Sequence, residues 1–122
     1  MTLANDLHPE DAKIVTLARA AALRAYVPYG GAGEGAAVRD PDGRTYAGAT
    51  VENRDDRLTV SALRAAVVAA ASSGARELDG AAVVTRNLRV TADDLAALRE
   101  FGSGFFVFLT APDGTVVDTV LA

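Results

Sequence analysis

Apolar residues recur at helical spacing early in the chain, where Ile14, Leu17, Ala18, Ala21 and Ala25 fall on one face. A helix is predicted to begin after His8. Pro9 suits the first helical position, and Glu10 and Asp11 then lie at the positive end of the helix dipole. Two strands are expected over Gly35 to Arg39 and Thr45 to Val51, joined into a hairpin by the turn sequence Pro41-Asp42-Gly43. A second helix is predicted from about Thr59 to Ser72. Val60, Leu63, Ala66, Val67 and Ala70 make it apolar enough to be largely buried, and Gly74 stops it. Ala81 to Thr85 reads as a short apolar strand, Asp93 to Glu100 as a helix and Phe105 to Thr110 as a strand. Thr115 to Val120 forms a last strand after Pro112-Asp113-Gly114. The order β-β-α-β-α-β-β, led by a helix, predicts an α/β domain over residues 1–122, with a five-stranded mixed sheet covered by helices.

Composition narrows the chemistry. The chain has 122 residues, half of them hydrophobic, enough for one core. Its formal net charge of -4, with eleven arginines and Lys13 scattered along it, argues against a nucleic-acid surface. No apolar run reaches the ~18 residues of a membrane span, and no basic segment followed by an apolar one opens the chain. A cytoplasmic protein without a membrane partner is the expectation. There is no cysteine, so disulfides and thiolate metal sites are excluded, and His8 is the single histidine. The glycine-rich stretch Pro28-Tyr29-Gly30-Gly31-Ala32-Gly33 lacks the Gly-Lys-Ser/Thr ending of a phosphate-binding P-loop and follows no strand, so it reads as a surface turn.

Several short motifs add a family resemblance. Tyr26-Val27-Pro28-Tyr29, Gly35-Ala36-Ala37, Asp42-Gly43, Tyr46-Ala47-Gly48, Val51-Glu52-Asn53, the run Leu58 to Ala66, and Arg99-Glu100-Phe101-Gly102 follow one another as they do in the small cytidine deaminases. The chain resembles that family over roughly residues 17 to 117. The resemblance implies a three-layer α-β-α fold and a homotetramer in which neighbouring subunits complete each site. It also implies a C-terminal helical extension beyond the point where this chain stops, at Ala122, which leaves a dimer as the other expectation.

In that family the second helix opens with Cys-Ala-Glu-Arg, and here the matching residues are Ser61, Ala62, Leu63 and Arg64. A later Pro-Cys-x-x-Cys supplies two more zinc thiolates, and its cysteines correspond to Thr91 and Asp94. Zinc-dependent deamination needs the metal to generate hydroxide and a glutamate to shuttle protons. Hydroxyls replace soft thiolates at Ser61 and Thr91, and Leu63 carries no proton. The expectation is therefore no metal, no cofactor and no hydrolytic deamination. Thr91 and Asp94 have the spacing of a helix capping box. Arg64 is the expected ion-pair partner of Asp94. A rebuilt hard-cation site would use Ser61, Thr91 and Asp94, with Glu34 and Glu52 as additional ligands.

The resemblance also places a ligand pocket. The family's ribose-gripping segment corresponds to Thr50-Val51-Glu52-Asn53, while an aromatic that stacks near the base falls at Ala32 and the following valine at Glu34. The resemblance implies a nucleoside-like ligand, whereas the lost apolar wall and added acid favour a cationic small molecule. Alternatively, Glu52 and Asn53 satisfy backbone groups at a strand end. Glu34, Glu52 and Asp94 are the candidate acids or bases for metal-free chemistry, Asp55 and Asp56 are expected as solvated loop charges, and Tyr26 and Tyr29 as anchors of the helix-to-loop junction. The remaining alternative is a non-catalytic companion of an active deaminase.

Overall fold

Each of the three long helices starts where one side chain accepts a hydrogen bond from a backbone amide of the first turn. His8 Nδ1 accepts from the amide of Glu10 at 3.2 Å, Ser61 Oγ from Arg64 at 3.2 Å, and Thr91 Oγ1 from Asp94 at 3.2 Å. A computed structural model describes residues 2–3 and 6–122. In it these caps open α1 (Pro9–Ala22), α2 (Ala62–Ser72) and α3 (Ala92–Arg99).

The five expected strands are all present, as β2 (Gly35–Arg39), β3 (Thr45–Ala49), β4 (Gly80–Val84), β5 (Phe106–Thr110) and β6 (Thr115–Leu121). A two-residue strand, β1 (Thr2–Leu3), pairs antiparallel with β6 and extends the sheet to six, in the order β1-β6-β5-β4-β2-β3. Among the paired strands only β4 and β5 run parallel, as a mixed sheet requires. The predicted three layers follow from strand alternation. Ala36, Val38, Ala81, Val83 and Val107 face Leu63, Ala66, Val67 and Leu98 of α2 and α3. Ala37, Ala82, Val84, Phe108 and Val116 face Ile14, Val15 and Ala18 of α1.

Two boundaries differ from expectation for the same reason. Helix α2 starts three residues later than predicted, and Val60 is 37% exposed rather than on its buried face. Val60 instead forms an antiparallel bridge with Val51, which in turn bridges Tyr26, so the strand predicted to reach Val51 ends at Ala49 and continues only as isolated bridges. Ala25 lies beyond α1, which ends at Ala22.

Contacts distant in sequence hold the layers in place. Arg39 Nη1 lies 2.8 Å from Asp11 of α1 and its Nε 2.9 Å from Asp79 before β4. The β2–β3 turn is organised by Asp40, only 4% exposed. Its Oδ1 accepts from the amides of Asp42 and Arg44 at 3.1 and 2.8 Å, and its Oδ2 from the Tyr46 hydroxyl at 3.1 Å. Helix and sheet meet at backbone distance on both faces. A Cβ on Gly35 would fall 2.1 Å from the Ala18 carbonyl oxygen of α1, and one on Gly48 would fall 2.4 Å from the Ala66 nitrogen of α2.

Candidate functional site

The sheet pairing gathers the first residue of β2 and the last residues of β3, β4 and β5 at one end. The carboxyl ends of parallel strands form the usual ligand crevice of open α/β sheets. At this end α1 gives way to the loop holding residues 26–34, while the segments before α2 and α3 carry Ser61 and Thr91.

Ser61, Arg64 and Asp94 converge between α2 and α3. Ser61 Oγ donates to Asp94 Oδ1 at 2.7 Å, and Arg64 Nε lies 3.5 Å from the same oxygen and 3.2 Å from Ser61 Oγ. The expected Arg64–Asp94 ion pair is therefore present, with a serine bridging it. Only half of the expected capping box is realised. Thr91 accepts from the Asp94 amide, but the Asp94 carboxylate turns to Ser61 rather than back to the cap. Leu63, where the resemblance places the family's glutamate, is 1% exposed and packs in the α2–α3 side of the core.

The candidate pocket residues have partners of their own. The Glu52 side chain accepts from the Tyr29 amide and lies so close to Gly31 that a Cβ there would collide with Oε2. Asn53 Oδ1 accepts from the Asp55 amide at 2.9 Å, and the Asn53 amide donates to Thr59 Oγ1 at 3.0 Å. Both residues thus satisfy backbone groups, as the structural alternative expects. The Glu34 side chain accepts from the buried Thr85 hydroxyl, and the Glu34 amide donates to Thr50 Oγ1 at 3.0 Å. Asp55 caps a short 3-10 turn over Asp56–Leu58, and its pairing with Arg57 holds its carboxyl below the usual range. Asp56 is exposed in that turn.

Tyr26 and Tyr29 anchor the junction through their backbones rather than their rings, which are exposed. The Tyr26 amide donates to the Thr50 carbonyl at 2.9 Å and the Tyr26 carbonyl accepts from Glu52 at 2.8 Å. Glu34, Glu52 and Asp94 do not form a shared cation cage, and among the described residues no three acidic or histidine side chains are placed to hold a metal. Ala32 is exposed on the rim of a cavity of about 470 Å³, lined by Val27, Gly30, Gly31, Ala32, Gly33 and Arg86. Sequence reasoning did not single out Thr85 and Arg86. Their only signal is position, at the carboxyl end of an apolar strand.

No helix among the described residues is long and apolar enough to cross a membrane. The family model described as cytidine deaminase-like matches residues 7–114. A cytidine deaminase of Sporosarcina psychrophila is 33% identical over 115 residues, covering 90% of this chain and 84% of that protein. Among solved structures, the cytidine deaminase of Burkholderia pseudomallei is similar with a TM-score of 0.80 at 28% identity, covering 90% of this chain and 89% of that one. The cytidine deaminase of Mycobacterium tuberculosis is similar at 34% identity with a TM-score of 0.73, covering 78% of this chain and 80% of that one. With its strand order, its layers and these relatives in agreement, the chain belongs to the cytidine deaminase-like family.

Proposed function

We propose that this chain is a non-catalytic member of its family, a cytoplasmic homo-oligomer that binds a nucleoside-like small molecule and does not deaminate it through zinc. The observation that carries this reading is the Ser61–Asp94 hydrogen bond of 2.7 Å with Arg64 beside it. A zinc ion in that position would meet two hydroxyls already serving as helix caps and one carboxylate already paired with a guanidinium. Such a donor set does not fit zinc, which favours thiolate and neutral imidazole. Buried Leu63 adds that a restored metal would still lack its proton carrier, a group typically contributing about 10²–10⁴-fold to rate.

Metal-free acid–base chemistry by Glu34, Glu52 or Asp94 has less support, because each carboxylate is engaged by a neighbour. Protein grown with zinc present is expected to purify without a stoichiometric metal, to melt at the same temperature with chelator, and to leave cytidine unconverted. One tightly bound zinc per chain, or formation of uridine, overturns the proposal. Nucleosides should raise the melting temperature by mass action. If none does, the binding role fails, and co-purification with an active deaminase becomes the next test of a companion role.

A further inference from the structure

Strand register sets Glu34 on the inner face of the ligand end. Ala36 and Val83 pack in the cluster beneath α2 and α3, and the β2–β4 ladder pairs them directly. Side chains alternate across a strand, so Glu34 and Thr85 stand one place further along the same two rows. The chain keeps that register past the strand ends. The Thr50 amide donates to the Glu34 carbonyl at 3.0 Å, and the Thr85 amide to the Thr110 carbonyl at 3.0 Å. Glu34 therefore lies on the sheet face where the heads of α2 and α3 meet, the face that buries Leu63.

The candidate carboxylates of this end differ in what they touch. Asp94 carries the Ser61 hydroxyl and the Arg64 guanidinium. Glu52 takes the Tyr29 amide on Oε1 and has Oε2 against Gly31. The Glu34 carboxylate accepts only from the Thr85 hydroxyl, through Oε2, and forms no ion pair among the described residues. Thr85 is 1% exposed, and its hydroxyl is itself fixed by the Asn87 amide at 3.0 Å. Glu34 is thus partly buried and held in place, with Oε1 unclaimed and its charge unpaired. Burial raises the cost of such a charge, and an opposite charge offsets it.

We propose that Glu34 is the counter-ion for a positively charged group of the ligand, so that the site selects a cationic base over a neutral one of the same shape. This rests on the binding reading above and names the ligand's charge class. The cation is of the delocalised kind, an amidinium or guanidinium. Such groups are more weakly hydrated than an ammonium and lose less on entering a partly buried site. An N–H of the cation donates to Oε1 as a charge-assisted hydrogen bond, while Thr85 keeps Oε2.

Two nucleosides that differ chiefly in charge test this: 3-methylcytidine, protonated near neutral pH, and 3-methyluridine, neutral and of nearly the same shape. Calorimetric titration of the full chain is expected to show the cation binding about tenfold more tightly, the scale of a charged hydrogen bond. Added salt should weaken 3-methylcytidine and leave 3-methyluridine unchanged. Glu34→Gln keeps an acceptor for Thr85 but removes the charge, and it should bring the two nucleosides to equal affinity. The wild-type comparison and its salt dependence need no variant. Equal affinities for the wild-type protein, or a preference that survives Glu34→Gln, overturn the counter-ion role and leave the binding reading standing. Binding of cytidine but of neither methylated nucleoside does the same. Absence of binding by all three overturns the two readings together.

Discussion

A single hydroxyl serves three groups at Ser61: it accepts from the Arg64 amide and side chain and donates to Asp94. Thr91 serves only as a cap. The two residues should therefore differ in what their loss costs. Thr91→Ala is expected to destabilise by about 1 kcal/mol, the ordinary value of an N-cap. Ser61→Ala should cost more, since it also leaves the 14%-exposed Asp94 carboxylate one donor short. Urea denaturation of both variants measures the difference. An unchanged stability in Thr91→Ala would refute its role as a cap. The residues of this junction were legible from the family resemblance and the cap spacing, but the direction of the Asp94 carboxylate was not. A capping box is a local pattern, and the competing donor on Ser61 lies 33 residues away in sequence.

Elements were legible wherever one face is buried, because periodic apolar positions report the layer they pack against. Helix α2 illustrates both the success and its limit. Leu63, Ala66, Val67 and Ala70 are buried as their spacing predicts, whereas Val60 extends the same apolar pattern but belongs to a bridge. Pattern alone does not separate these states, since a valine suits either. The Arg39 ties were illegible for another reason, their partners lying 28 and 40 residues away. Close approach of α2 to β3 predicts that Gly48→Ala forces backbone to shift, with a cost of about 1–3 kcal/mol seen in thermal or urea unfolding. At the hairpin, burial and then the hydrogen bond to Asp40 raise the Tyr46 phenol above its ordinary 10.0. Folded protein thus holds this proton more tightly than unfolded chain. The stabilisation is complete below pH 10 and lost as pH climbs through the raised value. Tyr46→Phe should flatten that alkaline fall, as measured by unfolding at stepped pH.

At the scale of the molecule, α2 and α3 share one face of the sheet, and their N-terminal ends lie close enough for side chains to join them. The joint unites positions that the family resemblance assigns to metal ligands with positions where a helix favours a hydroxyl. On the proposed non-catalytic reading, that coincidence sets the cost of building a zinc site into this chain. Either thiol alone would remove a favoured cap before any ion could offset it, at about 1 kcal/mol for Thr91→Cys and more for Ser61→Cys, whose hydroxyl also donates to Asp94. Zinc requires its ligands together, and the reaction further requires an acid in place of buried Leu63. On the proposed reading, stepwise installation of a zinc site therefore runs downhill in stability until all the changes coexist, so the fold acts as a ratchet against acquiring one.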